Sequence, residues 1–231
     1  MGELFSAGVS ATIAKGLLLA PAALLPIMNP FAMAPIYLSI VGPLDSVASR
    51  RMARRVAVNS TLVLLVSMFI GAQVLRFFGI SLEVVRVGGG LLVAATAWNM
   101  LTGPAPEPDS GGAGLKPLST SALAGKSWFP ITFPLTVGPG SISVAIALGA
   151  TMSFRTPAQI VGALALAAGA LLSSAVLYLC YRYAARLVDW LGSAGTLVMT
   201  RLMAFMLLCI GVQLLWDGVA DLVVDLAPRL R

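Results

Sequence analysis

The sequence predicts an all-α membrane protein: six transmembrane helices in a 3+3 inverted repeat, with helices one and four broken. Three observations carry this expectation. The 231-residue chain is 58% hydrophobic and 10% charged, with a mean hydropathy of +0.94, which leaves too little polar surface for a water-soluble globule. Its apolar stretches divide three and three around a segment too rich in glycine and proline for regular structure, Gly103 to Gly114. Two of the stretches, in corresponding places, are interrupted by proline and glycine.

The first interruption lies in an uncharged run from Gly16 to Leu44, with Pro21, Pro26, Pro30 and Pro35 inside it and Asn29-Pro30 at its middle. A straight helix over that run would reach roughly 43 Å at ~1.5 Å per residue, against a hydrocarbon core of about 30 Å. An interior proline removes a donor and clashes with the carbonyl four residues back, which frees the carbonyls of Ala22, Pro26 and Phe31. Broken backbone at membrane depth is tolerated only where protein or a watery cavity surrounds it. Asn29-Pro30 reads as a helix start, because asparagine caps well and proline suits the first helical position. Two half-helices with a new N-terminus near the bilayer midplane are expected; for this stretch alone a simple proline kink is the alternative.

The second interruption, Gly138-Pro139-Gly140-Ser141, sits near the middle of another uncharged run, Ser127 to Phe154. Pro21 and Pro30 are nine apart, as are Pro130 and Pro139, so one offset of 109 superposes both pairs. Paired Gly/Pro-interrupted segments in corresponding positions of two halves point to a transporter's binding site.

Between the interruptions, Arg50, Arg51, Arg54 and Arg55 read as a cytoplasmic loop after a turn at Gly42-Pro43-Leu44-Asp45. The second span runs from about Val56 to Leu75, and the third from near Val84 to Thr102. In the third, Gly88, Gly89 and Gly90 invite close approach of another helix, and Arg86 reads as snorkelling to the interface. The fifth span, about Ala158 to Tyr178, offers Gly162, Ala165, Gly169 and Ser173 as a packing face, followed by Tyr178, Tyr181 and Tyr183 as an interfacial belt. The sixth runs from about Leu197 past Arg201 to Trp216-Asp217. Cys180 and Cys209 read as small buried hydrophobes.

The chain thus divides into a first three-helix repeat, 1–102, a linker, 103–126, and a second repeat, 127–231, which an odd number of spans forces into the opposite orientation. A shift of 115 places Arg86 on Arg201. Of the lysines and arginines, nine fall on the side of the Arg50–Arg55 cluster and six on the other, which favours a multi-pass plasma or inner-membrane protein with both termini outside.

Inversion would point the two new helix N-termini at each other, each with unpaired N–H groups and about half a positive charge, a place for a carboxylate. Freed carbonyls nearby suit an ammonium. The expected site is therefore for a small zwitterion, formed by Asn29, Pro30, Phe31, Ala32, Gly138, Pro139, Gly140, Ser141 and Ser143, with Asn29, Ser141 and Ser143 adding side-chain bonds. Leucine at Gly140 should fill the gap between the half-helices and abolish binding while leaving insertion intact.

The rival classes fare less well. Without a histidine or a central carboxylate pair, the spans lack the groups for acid/base, nucleophilic or metal catalysis, so no enzyme, cofactor or metal is expected. The net charge of +6 and pI near 9.9 come from residues flanking apolar spans, so the partner is the lipid bilayer and not nucleic acid. A passive channel, or an exporter of another metabolite or drug, stays open. So do the coupling ion (sodium or proton), the direction of transport and the oligomeric state. Glu83, Asp217 and Asp221 sit at span ends, where the interface is their default place.

Asn29-Pro30-Phe31 with Pro35-Ile36-Tyr37-Leu38, Phe78-Gly79-Ile80-Ser81, Arg86-Val87-Gly88-Gly89-Gly90-Leu91, Gly138-Pro139-Gly140-Ser141-Ile142 and Arg201-Leu202-Met203 resemble the MarC/SnatA family. The resemblance covers nearly the whole chain except the linker. It implies a six-helix inverted-repeat fold and transport of small neutral amino acids such as glycine and alanine, some members being linked to antibiotic-resistance operons. A glycine is commoner in that family where Ala32 stands, and an alanine where Ser141 stands.

Overall fold

A computed structural model describes residues 2–42, 46–103, 125 and 127–226, all helix and short connections, with no strand among them. Most of the linker, 104–124 and Lys126, lies outside the described residues, as do Pro43, Leu44 and Asp45 of the turn. The helices are α1 (Gly2–Met28), α2 (Pro30–Val41), α3 (Ser46–Phe77), α4 (Leu82–Thr102), α5 (Pro139–Ala150), α6 (Pro157–Arg182) and α7 (Ala184–Leu226). A wide-turned segment, Ser127–Thr136, precedes α5. Among the described residues, five stretches are long and apolar enough to cross a membrane, or six if the Ser127–Thr136 segment and α5, bent by 70°, count as one span.

Helix α1 ends and α2 begins at Asn29, whose backbone adopts the left-handed region (φ 45°) that asparagine tolerates better than other side-chain-bearing residues. Its Oδ1 accepts from the Ala32 N–H at 3.4 Å, and Pro30 occupies the first position of α2, where a missing N–H costs nothing. Ahead of α5 the cause is different. Phe129 and Phe133 each precede a proline, which disfavours the helical region, and both are extended, with φ near −122°. The threonines of the tandem Phe-Pro-x-Thr pattern compensate: Thr132 Oγ1 donates to the Ser127 carbonyl at 2.6 Å and Thr136 Oγ1 to the Ile131 carbonyl at 2.7 Å. Buried acceptors are thereby satisfied where backbone bonds cannot form.

Small residues set the helix packing. A Cβ built on Gly90 would stand 2.5 Å from the Leu215 nitrogen, and one on Gly211 2.6 Å from the Ala94 nitrogen, so α4 and α7 run antiparallel with their backbones in contact. Gly16 and Ala20 of α1 meet Ala165 and Gly169 of α6 in the same way, while Gly71 and Met68 of α3 meet Ile146 and Gly149 of α5. α3 also packs on α6, α2 on α7, and α5 on α4. Two faces result. One carries the starts of α1, α4 and α6 with the end of α7; the opposite one carries the starts of α3 and α7 with the ends of α4 and α6.

Four expectations are corrected. The Arg50–Arg55 cluster is helical, on the first turns of α3, because nothing after Ser46 breaks a helix and the long side chains extend outward. Tyr181 is not part of a belt: it is buried, its ring stacked on Tyr37 with centroids 4.3 Å apart and its hydroxyl 2.9 Å from Thr136 Oγ1. Tyr178 and Tyr183 do stand with the cations, Arg182 donating to the Tyr178 hydroxyl and lying over both rings. Neither cysteine is a buried hydrophobe: Cys209 is exposed on α7 and Cys180 of α6 is only half-buried. Arg86 does not snorkel freely; it is paired with Asp221.

Candidate functional site

Two arginines stand at corresponding places on the α4–α7 pair: Arg86 near the start of α4 and beside the end of α7, and Arg201 beyond the kink at Gly192 within α7 and beside the end of α4. Arg201 caps α4, its guanidinium donating to the carbonyls of Met100 (2.8 Å), Leu101 and Gly103 (2.7 Å), which have no partner further along the helix. Arg86 meets the end of α7 through Asp221, Nη1 to Oδ2 at 2.6 Å.

Arg86 and Asp221 line a cavity of about 780 Å³ on the face that carries the start of α1 and the end of α7. Gln213 and Asp217 share its lining and are bonded to each other at 2.7 Å; with Asp221 they form a polar stripe at intervals of four on α7. The walls are apolar, among them Val144 of α5 and Leu214 of α7. The deepest residues from α1 are Pro26 and Ile27, immediately before the break at Asn29, and the Ile27 side chain also reaches Gly140. The cavity therefore descends from one face to the level of both chain interruptions. On the opposite face, Phe31 and Pro35 close with Leu187, Thr196, Met199 and Thr200 around a void of only about 10 Å³.

The sequence-predicted residues lie beside this cavity, and none of them lines it. Asn29, Pro30, Ala32, Gly140, Ser141 and Ser143 are buried, Gly138 is half-buried and Pro139 exposed. Phe31, 43% exposed, borders the small void on the other face. Asn29 is 3% exposed and its Nδ2 has no partner among the described residues, a buried donor of the kind that costs about 1–3 kcal/mol when left unmade. Ser143 does not hold a free hydroxyl: it donates to the Val85 carbonyl at 3.0 Å, because α5 packs tightly on α4. Gly140 belongs to that same contact, and a Cβ there would overlap the Val93 side chain, so leucine at 140 disrupts helix packing before it fills any site. Of the cavity residues, sequence reasoning took Arg86, Asp217 and Asp221 as interfacial by default; the i, i+4, i+8 spacing of Gln213, Asp217 and Asp221 was the available signal.

A bundle of long apolar helices with buried polar side chains at its interruptions, and a deep cavity from one face, defines a multi-pass integral membrane protein. The chain belongs to the MarC family: the family described as MarC family integral membrane protein matches residues 15–223. It is 29% identical over 205 residues to the inner membrane protein MarC of Salmonella typhimurium and to that of Citrobacter koseri, covering 87% of this chain and 92% of each relative. The Escherichia coli O139:H28 protein of the same name is 29% identical over 203 residues. None of these names carries a catalytic activity. No solved structure matches significantly. The chain is a multi-pass inner-membrane protein.

Proposed function

We propose that the protein is a secondary transporter of small neutral amino acids of the glycine and alanine type, working by alternating access around a midplane site at the two discontinuous helices. The observation that carries the reading is the unpartnered Nδ2 of Asn29, buried at the N-terminus of α2 and next to the floor of the cavity. A donor left unmade there is a donor kept for a ligand, and the helix start around it favours a carboxylate. Pro30, Ala32, Gly138 and Ser141 supply the small walls of that site.

A 3+3 inverted repeat is supported by the packing partners themselves. Exchanging the halves turns the α1–α6 contact into that of α3 with the Ser127–Thr136 segment, the α2–α6 contact into the α3–α5 contact, and the α2–α7 contact into the α4–α5 contact. The α3–α6 and α4–α7 contacts map onto themselves, and Arg86 maps onto Arg201. A repeat of this kind can exchange the conformations of its halves, so a wide cavity on one face and a narrow void on the other is one of two related states. With both termini outside, the open face is the outer one. A second reading, export of a larger apolar metabolite or drug, draws on the volume and apolar walls of the cavity, which far exceed what glycine needs.

Counterflow of labelled glycine and L-alanine by purified protein in liposomes, with and without sodium and pH gradients, separates the two. Saturable exchange competed by other small neutral amino acids supports the first reading, and the gradient dependence names the coupling ion. Absence of exchange for both amino acids moves the assignment to the larger substrate.

A further inference from the structure

We infer that the wide cavity carries a second binding site, for the carboxylate and ammonium groups of a zwitterion, built from Arg86, Asp217 and Asp221. The ligand class rests on the amino-acid reading above; the site rests on a comparison within the molecule. Arg201 spends its guanidinium on three backbone carbonyls at the end of α4, a purely structural assignment. Arg86, its counterpart, makes one described bond, through Nη1 to Asp221, and faces the cavity. A guanidinium has five donors in a fork that matches a carboxylate, so Arg86 holds most of its bonding capacity in reserve where Arg201 has used its own.

The Arg86–Asp221 pair is also exchangeable. The two side chains are 28% and 50% exposed, and an ion pair that open to water is weak. Among the described residues it is the one ion pair, so Asp217, which accepts from Gln213 at 2.7 Å, has no cation beside it. A zwitterion entering the cavity offers both missing partners: its carboxylate competes with Asp221 for the Arg86 fork, and its ammonium meets Asp217 and the released Asp221. The site would hold a ligand on its way between solution and the Asn29 break, at the mouth of the same cavity whose floor is Pro26 and Ile27.

The test is equilibrium binding of labelled L-alanine, and of labelled N-acetyl-L-alanine, which keeps the carboxylate and lacks the ammonium, to the full chain in nanodiscs. Arg86→Gln should weaken N-acetyl-L-alanine by about tenfold or more, as loss of a charge-assisted bond does, and Arg86→Lys should restore part of it. Asp221→Asn should tighten N-acetyl-L-alanine several-fold, because the internal competitor is gone. A residue that only clamps α4 to α7 gives the opposite pattern, with Arg86→Gln and Asp221→Asn impaired alike; that result, or unchanged binding in Arg86→Gln, overturns the inference. Asn29→Ala separates it from the transporter reading. Alanine binding abolished by Asn29→Ala but untouched by Arg86→Gln sinks the second site alone, whereas binding lost only in Arg86→Gln sinks the Asn29 site. N-acetyl-L-alanine held by Arg86 without any alanine exchange in liposomes removes the transport assignment and keeps the site.

Discussion

Replacing Asn29 with alanine separates stability from function in a way that few substitutions in this chain do. Three effects on folding oppose one another. The Oδ1 cap to the Ala32 N–H is lost, about 1 kcal/mol for an average cap and less for a bond as long as 3.4 Å. Alanine must also hold the left-handed backbone at φ 45°, which costs roughly 1–2 kcal/mol. Against these, the variant deletes the buried Nδ2 that has no partner among the described residues, recovering about 1–3 kcal/mol. The net change in folding should lie within about 2 kcal/mol of zero, a shift of at most several degrees in the unfolding midpoint. Transport should fall much further, by about tenfold to a hundredfold, if that donor bonds a charged ligand group with about 1.5–3 kcal/mol. The assay is alanine counterflow by equal amounts of reconstituted protein alongside thermal unfolding in detergent. Unchanged counterflow, or a loss of stability above about 3 kcal/mol, refutes the reasoning, the first because the donor has no ligand, the second because it has a structural partner.

The other expectations follow from packing. Gly211→Leu drives a side chain into the α4 backbone at Ala94 and should abolish monodisperse expression, while Gly88→Leu, whose Cβ would meet nothing within 4 Å, should express as the parent; fluorescence-detected gel filtration reads both. Arg201→Ala uncaps three carbonyls at the end of α4 and should destabilise by about 2–4 kcal/mol in detergent unfolding, with Arg201→Lys recovering part, since a single ammonium cannot span the same acceptors. Tyr181→Phe removes the bond to Thr136 and should cost about 1 kcal/mol, whereas Tyr37→Phe deletes a hydroxyl that has no partner among the described residues and should be neutral or stabilising by the same unfolding assay.

Much of the helical architecture was legible because its causes are local. The Asn29-Pro30 pair announces its own cap, and the Gly/Ala positions at 89, 90, 165 and 169 announce close helix contacts by having no side chain to hold helices apart. The Phe-Pro-x-Thr tandem before α5 was missed, although each part has a known effect, because the two prolines read simply as breakers and the threonines that satisfy the carbonyls read as ordinary polar residues. Tyr181 was misplaced since a tyrosine beside arginines at a helix end fits a belt equally well, and only the approach of Tyr37 from α2 buries it. The cavity was not legible at all. Its polar stripe is in the sequence, but which helix faces Gln213, Asp217 and Asp221 depends on how α7 leans on α4, and that is fixed by contacts far apart along the chain.

The central claim, that a small zwitterion draws this protein between two states opening on opposite faces, is tested most directly by cysteine accessibility. In a background of Cys180→Ser and Cys209→Ala, Ala147→Cys reports on the wide cavity and Thr200→Cys on the narrow void. The account predicts that saturating L-alanine slows labelling of the first by a water-soluble maleimide and speeds labelling of the second. Rates at both positions unmoved by L-alanine and by glycine would contradict it.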